Sequence, residues 1–337
     1  MATIVDVANA AQVSVATVSR VLNDSYAVTD EKKKRVMEAI EAVGYQIPAR
    51  MKMGKQLNNN KSVILVISSI LIESIILPFQ EAADDLGYRT IVMYYASKER
   101  LDSLEQLLNT LDSCIAGILL INAADNSPEF QALVSKYPVV QIGEPILKDQ
   151  PNYVVYTDEI KMSQDATNYL LKLGCKKIGA LMPEPKHLTL FSQKKRIQGY
   201  YLALLENGLT IDESLVIYTD ITIDGGYDST KKLLKKHPDI DAIIGCCDVV
   251  SQGAMYAATE SGRSGENGIA IFSMDRNELW DYIPHFLSYI DPHHDEMAAT
   301  AARLLHSVIC GEITTDYRVV IRHTLQCNTE NYNCSFV

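Results

Sequence analysis

The sequence predicts a small all-α head joined to an α/β core of two similar lobes, each a parallel sheet flanked by helices. Three observations predict it. The charge is split: residues 1–61 hold nine Lys or Arg against six Asp or Glu, net +3, whereas residues 62–337 hold 22 against 36, net −14. The first 48 residues repeat apolar side chains at helical spacing. From Ser62 onward, short β-rich apolar runs alternate with amphipathic segments, the pattern of parallel strands covered by helices on both faces. With 337 residues, 47% of them hydrophobic and 22% charged, the chain can bury more than one core.

The head reads as three short helices. Thr3 and Asp6 have capping-box spacing, and Val7, Ala8 and Ala11 follow at helical intervals. Val13-Ser14 interrupts, and Ser14 is a good N-cap for a second helix over Val15–Leu22. Thr29 caps a third over Asp30–Val43, which ends at Gly44. Ile4, Val7, Ala8, Val13, Val18, Val21, Val36, Ile40 and Val43 supply a mini-core. Two helices joined by a tight turn and followed by a third form a helix-turn-helix. Residues 1–48 are therefore the expected head. Residues 49–61, basic and Asn-rich, are the expected linker, with room for a two-turn helix.

The core occupies residues 62–327. Strands are expected at Val63–Ser68, Thr90–Tyr95, Gly117–Ile121 and Val139–Ile142, with helices at Ile75–Leu86, Glu99–Leu111 and Pro128–Lys136 between them. A second series follows Tyr153–Tyr156, with strands at Ile178–Met182, Leu215–Tyr218, Ala242–Cys246 and Ile269–Ser273. Its helices are Glu159–Leu173, Gln193–Asn207, Tyr227–Lys236 and Val249–Ser261. Leu287–Ile290, a helix over Glu296–Ile309 and a strand Arg318–Arg322 complete the core. The expected first lobe is 62–158 plus 291–318, the second 159–290 plus 319–327, and 328–337 is a tail. A cleft between such lobes, at the carboxyl ends of the strands, is where small molecules bind.

Several function classes fall away. The N-terminus lacks the basic and apolar regions of a secretory signal, and no apolar run is long enough to span a bilayer. Seven scattered cysteines fit free thiols in a reducing cytoplasm and offer no zinc ligand set. His293-His294-Asp295-Glu296 are consecutive, so they fan around a helix start and cannot close on one metal ion. No G-x-G-x-x-G, Walker loop, G-x-S-x-G or H-E-x-x-H motif is present, so neither an enzyme nor a bound cofactor is expected.

The most specific signal is Val13-Ser-Val-Ala-Thr-Val-Ser-Arg-Val-Leu-Asn23. Val18, Val21 and Leu22 turn toward the mini-core, leaving Val15, Ala16, Thr17, Ser19, Arg20 and Asn23 outward. One Arg among hydroxyls and small apolar groups suits a DNA major groove, where Arg forks to guanine and methyls touch thymine. The plainer alternative is an ordinary solvated helix. Lys32-Lys-Lys-Arg35 has the same two readings, phosphate contact or solvated face.

With these residues in view, residues 3–50 resemble the DNA-binding head of the LacI/GalR family of bacterial transcription regulators. The run T-I-x-D-V-A-x-x-A-x-V-S-x-x-T-V-S-R-V-L-N and the later V-T-x-E-x-x-x-x-V-x-x-A-I-x-x-x-G-Y carry the likeness. Looser islands continue it to about Cys327: Arg196-x-x-Gly199-Tyr200, His237-Pro-Asp-Ile-Asp-Ala242, and Asp248 ahead of Gly253-Ala254. The resemblance implies Rossmann-like, periplasmic-binding-protein-like lobes, a homodimer on a pseudo-palindromic operator, and a small-molecule effector, a sugar or sugar derivative, bound between the lobes. It implies phosphate contacts from Thr3, Ser14, Thr17, Ser19 and Asn23, and base reading by Val15, Ala16 and Arg20. Val15 and Ala16 lack hydrogen-bonding groups, so they read methyls or shape.

In the linker the likeness departs. Pro48 follows Tyr45 by three residues rather than two, and Lys55 falls where the family places a minor-groove Leu. Met53 or Leu57 is then the wedge, beside Arg50; the alternative is a flexible tether. In the core, the resemblance assigns effector contacts to Arg196 and Asp275, with Ser68, Ser69, Cys247 and His294 completing the set. A fork of donors facing a carboxylate holds a polyol; the plainer reading of each is a surface ion pair. Cys247 stands where the family has Asn, and Ser68–Ser74 lacks the usual P-x-x-x-N-P-F-F loop.

The leading reading is thus an effector-controlled transcriptional repressor. The alternative is a sugar-binding transport protein or sensor of the same core, which predicts no basic head. A Rossmann-like sugar enzyme needs a nucleotide loop or nucleophile that the chain lacks. The tail 328–337 has no a/d apolar repeat, so a dimer is expected rather than a coiled-coil tetramer.

Overall fold

Thr3 caps the first helix as its spacing from Asp6 requires. In a computed structural model, described at residues 3–22, 29–45, 62–68, 73–95, 100–122, 125, 127–147, 151–183, 190–264, 268–277 and 287–327, the capping box closes from both sides. The Asp6 amide donates to Thr3 Oγ1, and the Thr3 amide donates to Asp6 Oδ2 at 2.7 Å. Helices α1 (Ile4–Ala11), α2 (Val15–Leu22) and α3 (Asp30–Val43) follow. Gly44, at φ +63°, ends α3 in the left-handed region that glycine reaches without strain. Val7, Ala8, Ala11, Val18, Val21, Val36, Ala39 and Ile40 form the mini-core. Arg35 turns inward from the basic run and donates from Nη2 to the Ala11 carbonyl at 2.7 Å, satisfying the open end of α1. The linker 49–61 and the tail 328–337 lie outside the described residues.

The first lobe contains β1 (Val63–Ser68), α4 (Glu73–Asp85), β2 (Arg89–Tyr94), α5 (Leu101–Leu111), β3 (Ile115–Ile121), α6 (Pro128–Val134), β4 (Val139–Ile142) and β5 (Tyr153–Thr157). The second contains α7 (Glu159–Lys172), β6 (Ile178–Pro183), α8 (Leu190–Glu206), β7 (Val216–Thr219), α9 (Ile223–Lys236), β8 (Ala242–Gly245), α10 (Asp248–Glu260), β9 (Ala270–Ser273) and β10 (Leu287–Asp291). The chain then returns through α11 (His294–Ile309) and β11 (Tyr317–Ile321) and ends in β12 (Thr324–Gln326). The first sheet runs β11-β5-β4-β3-β1-β2, all parallel. The second runs β12-β10-β9-β8-β6-β7, parallel except that β12 is antiparallel to β10.

Strand β1 shows why these runs read as continuous apolar segments. Ile64 and Val66 enter the cluster with α4 and α11, while Leu65 and Ile67 enter the cluster with α5 and α6. Both sheet faces are covered, so both phases of the alternation must be apolar.

One boundary is corrected. The sequence reading divided the return at 318/319, but β11 pairs with β5 along its whole length, so Tyr317–Ile321 belongs to the first sheet. The third crossing lies at 322–323, and the short β12, absent from the sequence reading, belongs to the second sheet. The other crossings are Asp158 and Pro292-His293. His293 holds a left-handed φ of +55°, and its Nε2 stands 3.1 Å from Thr324 Oγ1. That contact ties the second crossing to the third.

Gly199 sets the distance between α7 and α8. A Cβ there would stand 2.2 Å from the Ile160 carbonyl oxygen and 3.0 Å from the Gln164 amide nitrogen. Gly199→Ala is expected to cost about 1–3 kcal/mol through overpacking, read as a lowered Tm in thermal denaturation. It should also displace the α8 side chains that face α7.

Candidate functional site

Both sheets end their parallel strands toward one cleft. Its walls include Asn122 after β3, Gly143 and Glu144 after β4, and Tyr156 and Thr157 in β5. From the second lobe come Glu159, Arg196 and Asp275, and His294 stands at the start of α11. The cleft encloses about 590 Å³, counting the solvent at its mouth, and so has the size of a small-molecule site. Gly143, at φ +100°, would place a Cβ 2.4 Å from Asn122 Oδ1, so the lack of a side chain there lets Asn122 reach the cleft floor.

Arg196 is the most elaborately held side chain. Its Nε donates to Glu159 Oε2 at 2.5 Å, its Nη2 to Glu159 Oε1 at 3.1 Å, and its Nη1 to the Cys246 carbonyl at 2.7 Å. Burial alone would lower the guanidinium pKa, but the Glu159 charge and hydrogen bonds more than offset it, so Arg196 stays cationic. A guanidinium has five N–H donors. Three have partners here, leaving two for a ligand.

Asp275 follows β9. Its Oδ1 accepts from the Arg276 amide at 2.9 Å and lies 3.9 Å from His294 Nε2. His294 Nδ1 is 2.8 Å from Ser74 Oγ on α4. The imidazole therefore stands between a first-lobe hydroxyl and a second-lobe carboxylate. A second bridge joins the lobes at the same level: Lys195 Nζ donates to Glu144 Oε1 at 2.5 Å. Thr157 is 8% exposed, and its hydroxyl has no hydrogen-bond partner among the described residues. An unpaired buried hydroxyl costs free energy that a ligand hydroxyl can recover.

Three of the residues expected from the sequence thus meet in the cleft: Arg196, Asp275 and His294. The expected opposition of Arg196 and Asp275 is modified, because the guanidinium fork is occupied by Glu159. Cys247 is not among the cleft residues. Its thiol lies 4.0 Å from that of Cys246 and packs against the second-lobe core, where the neighbouring thiol and burial raise its pKa. Ser68 is buried at the end of β1, its carbonyl accepting from the Tyr95 amide at 2.8 Å. Ser69 lies outside the described residues.

Glu159, Glu144, Lys195 and Thr157 escaped the sequence reading. The first three are ordinary charged residues, and only their tertiary pairings, Glu159 with Arg196 on the next helix and Glu144 with Lys195 across the lobes, distinguish them. Thr157 carried one signal, a polar residue closing an apolar strand.

In the head, Ser14 Oγ accepts from the Thr17 amide at 3.1 Å and lies 2.9 Å from Thr17 Oγ1, while Val15 is 41% exposed. Thr3 is likewise exposed at a helix start. Exposed capping hydroxyls and helix N-termini are the groups that take DNA phosphates. Ala16, Ser19 and Arg20 lie within α2. Asn23, Arg50, Met53 and Leu57 lie outside the described residues.

Burial raises the Asp275 carboxyl pKa; the Asp248 charge adds to this, whereas His294 and Arg196 oppose it. A carboxyl raised on folding binds protons more tightly in the native state, so its contribution is present at low pH and lost as pH rises through its folded pKa. At neutral pH the ionised group therefore costs stability. Asp275→Asn is expected to raise Tm at pH 7, with the gain vanishing as pH falls below the ordinary carboxylate range. A pH series of melting curves checks this.

Comparisons with known proteins agree with this architecture. Residues 3–47 match the family described as bacterial regulatory proteins, lacI family. Residues 72–283 match the family described as periplasmic binding proteins and sugar binding domain of LacI family. The chain is 29% identical over 326 residues to the HTH-type transcriptional regulator CelR of Thermobifida fusca, covering 94% of each chain. Among solved structures, it is similar to a transcriptional regulator CelR–cellobiose complex at 26% identity, with a TM-score of 0.71 over 97% of this chain and 99% of that one. It shares the fold of a lac repressor dimer bound to operator and an anti-inducer, at 21% identity, a TM-score of 0.67, and coverage of 97% and 98%.

Proposed function

Since the chain belongs to the LacI family of bacterial regulatory proteins, and so is a DNA-binding transcriptional regulator, we propose that it is a repressor whose operator affinity is set by a saccharide bound between its lobes. The observation that carries this reading is the cleft itself. Donors on Arg196 and an acceptor on Asp275 line one space at the carboxyl ends of both sheets. That mixture of directional donors and acceptors suits an array of hydroxyls. The similar regulator CelR is solved with cellobiose, which favours a sugar here too.

On DNA, Arg20 reads a base edge while Thr3, Ser14, Thr17, Ser19 and Asn23 hold phosphates. Val15 and Ala16 present only methyls. Residues 49–57 are too few to be helical alone. They order on the duplex, with Arg50 on the backbone and Met53 or Leu57 in the minor groove. Two heads need two half-sites, so the active species is a two-fold homodimer. Saccharide binding favours one arrangement of the lobes, and the linkers of the two subunits meet the duplex only in one such arrangement.

The test uses the full chain and an operator recovered by selection from random duplexes. Gel shift with and without a panel of saccharides is expected to show tight binding altered by one of them, and light scattering at micromolar concentration to show a dimer. A full-length protein that selects no duplex sequence would favour a solute-binding role and overturn the reading.

A further inference from the structure

We infer that the cleft accepts uncharged or amine-bearing saccharides and rejects phosphorylated or acidic ones, with Glu159 as the residue that sets this choice. The inference rests on the effector reading above and deepens it.

A free cationic fork is a strong and selective receptor for an anionic sugar. A guanidinium holds phosphate or carboxylate through two parallel N–H donors, and that geometry is the source of its selectivity. Here one of the two paired edges of Arg196, Nε with Nη2, is already closed on the two oxygens of Glu159, whose charge balances the guanidinium. A third donor is spent on the Cys246 carbonyl. What remains is one N–H on each terminal nitrogen of a guanidinium whose charge Glu159 already balances, which suits neutral hydroxyl oxygens. Lys195, next to Arg196 on α8, is spent on Glu144 of the cleft wall.

The remaining charges point the same way. Asp275 has no cation within hydrogen-bond distance among the described residues, since His294 Nε2 is 3.9 Å away. Asp248 stands near enough to disfavour ionisation of Asp275, and its own Oδ2 accepts from Asn277. Among the described residues that line the cleft, Glu144, Glu159 and Asp275 are carboxylates, and Glu144 and Glu159 are each already paired with a cation. An added phosphate would meet the Asp275 charge, with Arg196 already balanced by Glu159 and Lys195 by Glu144. A protonated amine would meet Asp275, which accepts no side-chain hydrogen bond among the described residues.

Gly199 explains why Glu159 reaches Arg196 at all. The two side chains stand on α7 and α8, and the close approach of the Gly199 backbone to Ile160 and Ser163 brings those helices together.

The experiment measures ligand-induced shifts in Tm and calorimetric affinities on the full chain. The probes are glucose, maltose, cellobiose, glucosamine, glucose 6-phosphate, glucuronate and inorganic phosphate, with sodium chloride at matched ionic strength as control. For the wild type, neutral or amine-bearing sugars should bind, and their anionic counterparts should bind at least about tenfold more weakly. Phosphate should have no effect beyond that of salt. Glu159→Gln opens the Arg196 fork, and its affinity for inorganic phosphate should rise by about tenfold or more. The double variant Glu159→Gln/Arg196→Gln should lose that gain.

A wild type that binds glucose 6-phosphate as tightly as glucose, or a folded Glu159→Gln that gains no phosphate affinity, overturns the inference while leaving the effector cleft in place. If no saccharide binds the wild type and the phosphate arm still behaves as expected, the saccharide reading fails and the role of Glu159 stands. If Glu159→Gln does not fold, the wild-type comparison of neutral and anionic sugars decides the question.

Discussion

Arg196→Ala is expected to abolish the response to effector while leaving operator binding intact. The substitution removes the donors that face the cleft. It also leaves Glu159 without its partner in a site where the two side chains are only 17% and 19% exposed. Breaking a fully buried pair costs about 3–5 kcal/mol; the remaining solvent contact brings the expected cost here to roughly 2–3 kcal/mol. For a lobe of this size that lowers Tm by roughly 5–10 °C. Arg196→Lys separates the two effects. It keeps the charge beside Glu159 and most of the stability, but it lacks the further N–H donors that remain for a ligand once Glu159 is bound, so the response should still be lost. Gel shift with effector and thermal denaturation of both variants supply the readouts. An Arg196→Ala protein that still responds to effector would remove Arg196 from the site.

Arg20→Ala is expected to lose operator selectivity. A bidentate contact to guanine contributes about 1–3 kcal/mol of discrimination, equivalent to a roughly five- to 150-fold loss on the selected operator. Binding to a scrambled duplex should weaken far less, because that affinity comes from phosphate contacts. Fluorescence anisotropy on both duplexes at fixed salt distinguishes the roles. Equal weakening on the two would make Arg20 a phosphate contact. Thr17 provides the contrast: as a phosphate-contacting hydroxyl, Thr17→Val should weaken binding to both duplexes alike.

Much of the fold was legible because its causes are local. The reciprocal cap of Thr3 and Asp6, the stop of α3 at Gly44, and the doubly apolar run of β1 each depend on residues within one turn or one strand. The head motif was legible for the same reason, since a helix-turn-helix spends its specific residues in one continuous run. Parallel topology followed from the alternation of strands and helices, because a parallel connection needs a crossover.

The cleft chemistry was legible only in part, for a reason that also separates the remaining cases. Arg196 and Asp275 stood out by resemblance, but the partner of Arg196 is Glu159, on a different helix, reached because Gly199 lets α8 approach α7. Lys195 meets Glu144 across the lobes, Arg35 caps α1 from α3, and β12 pairs antiparallel with β10 after the chain's last crossing. The sequence by itself determined the elements, the head and the class of fold, because backbone hydrogen bonding and burial periodicity are decided by near neighbours. The tertiary structure alone decided which charges neutralise one another, because an ion pair depends on the distance between elements, and that distance is set by packing rather than by position along the chain.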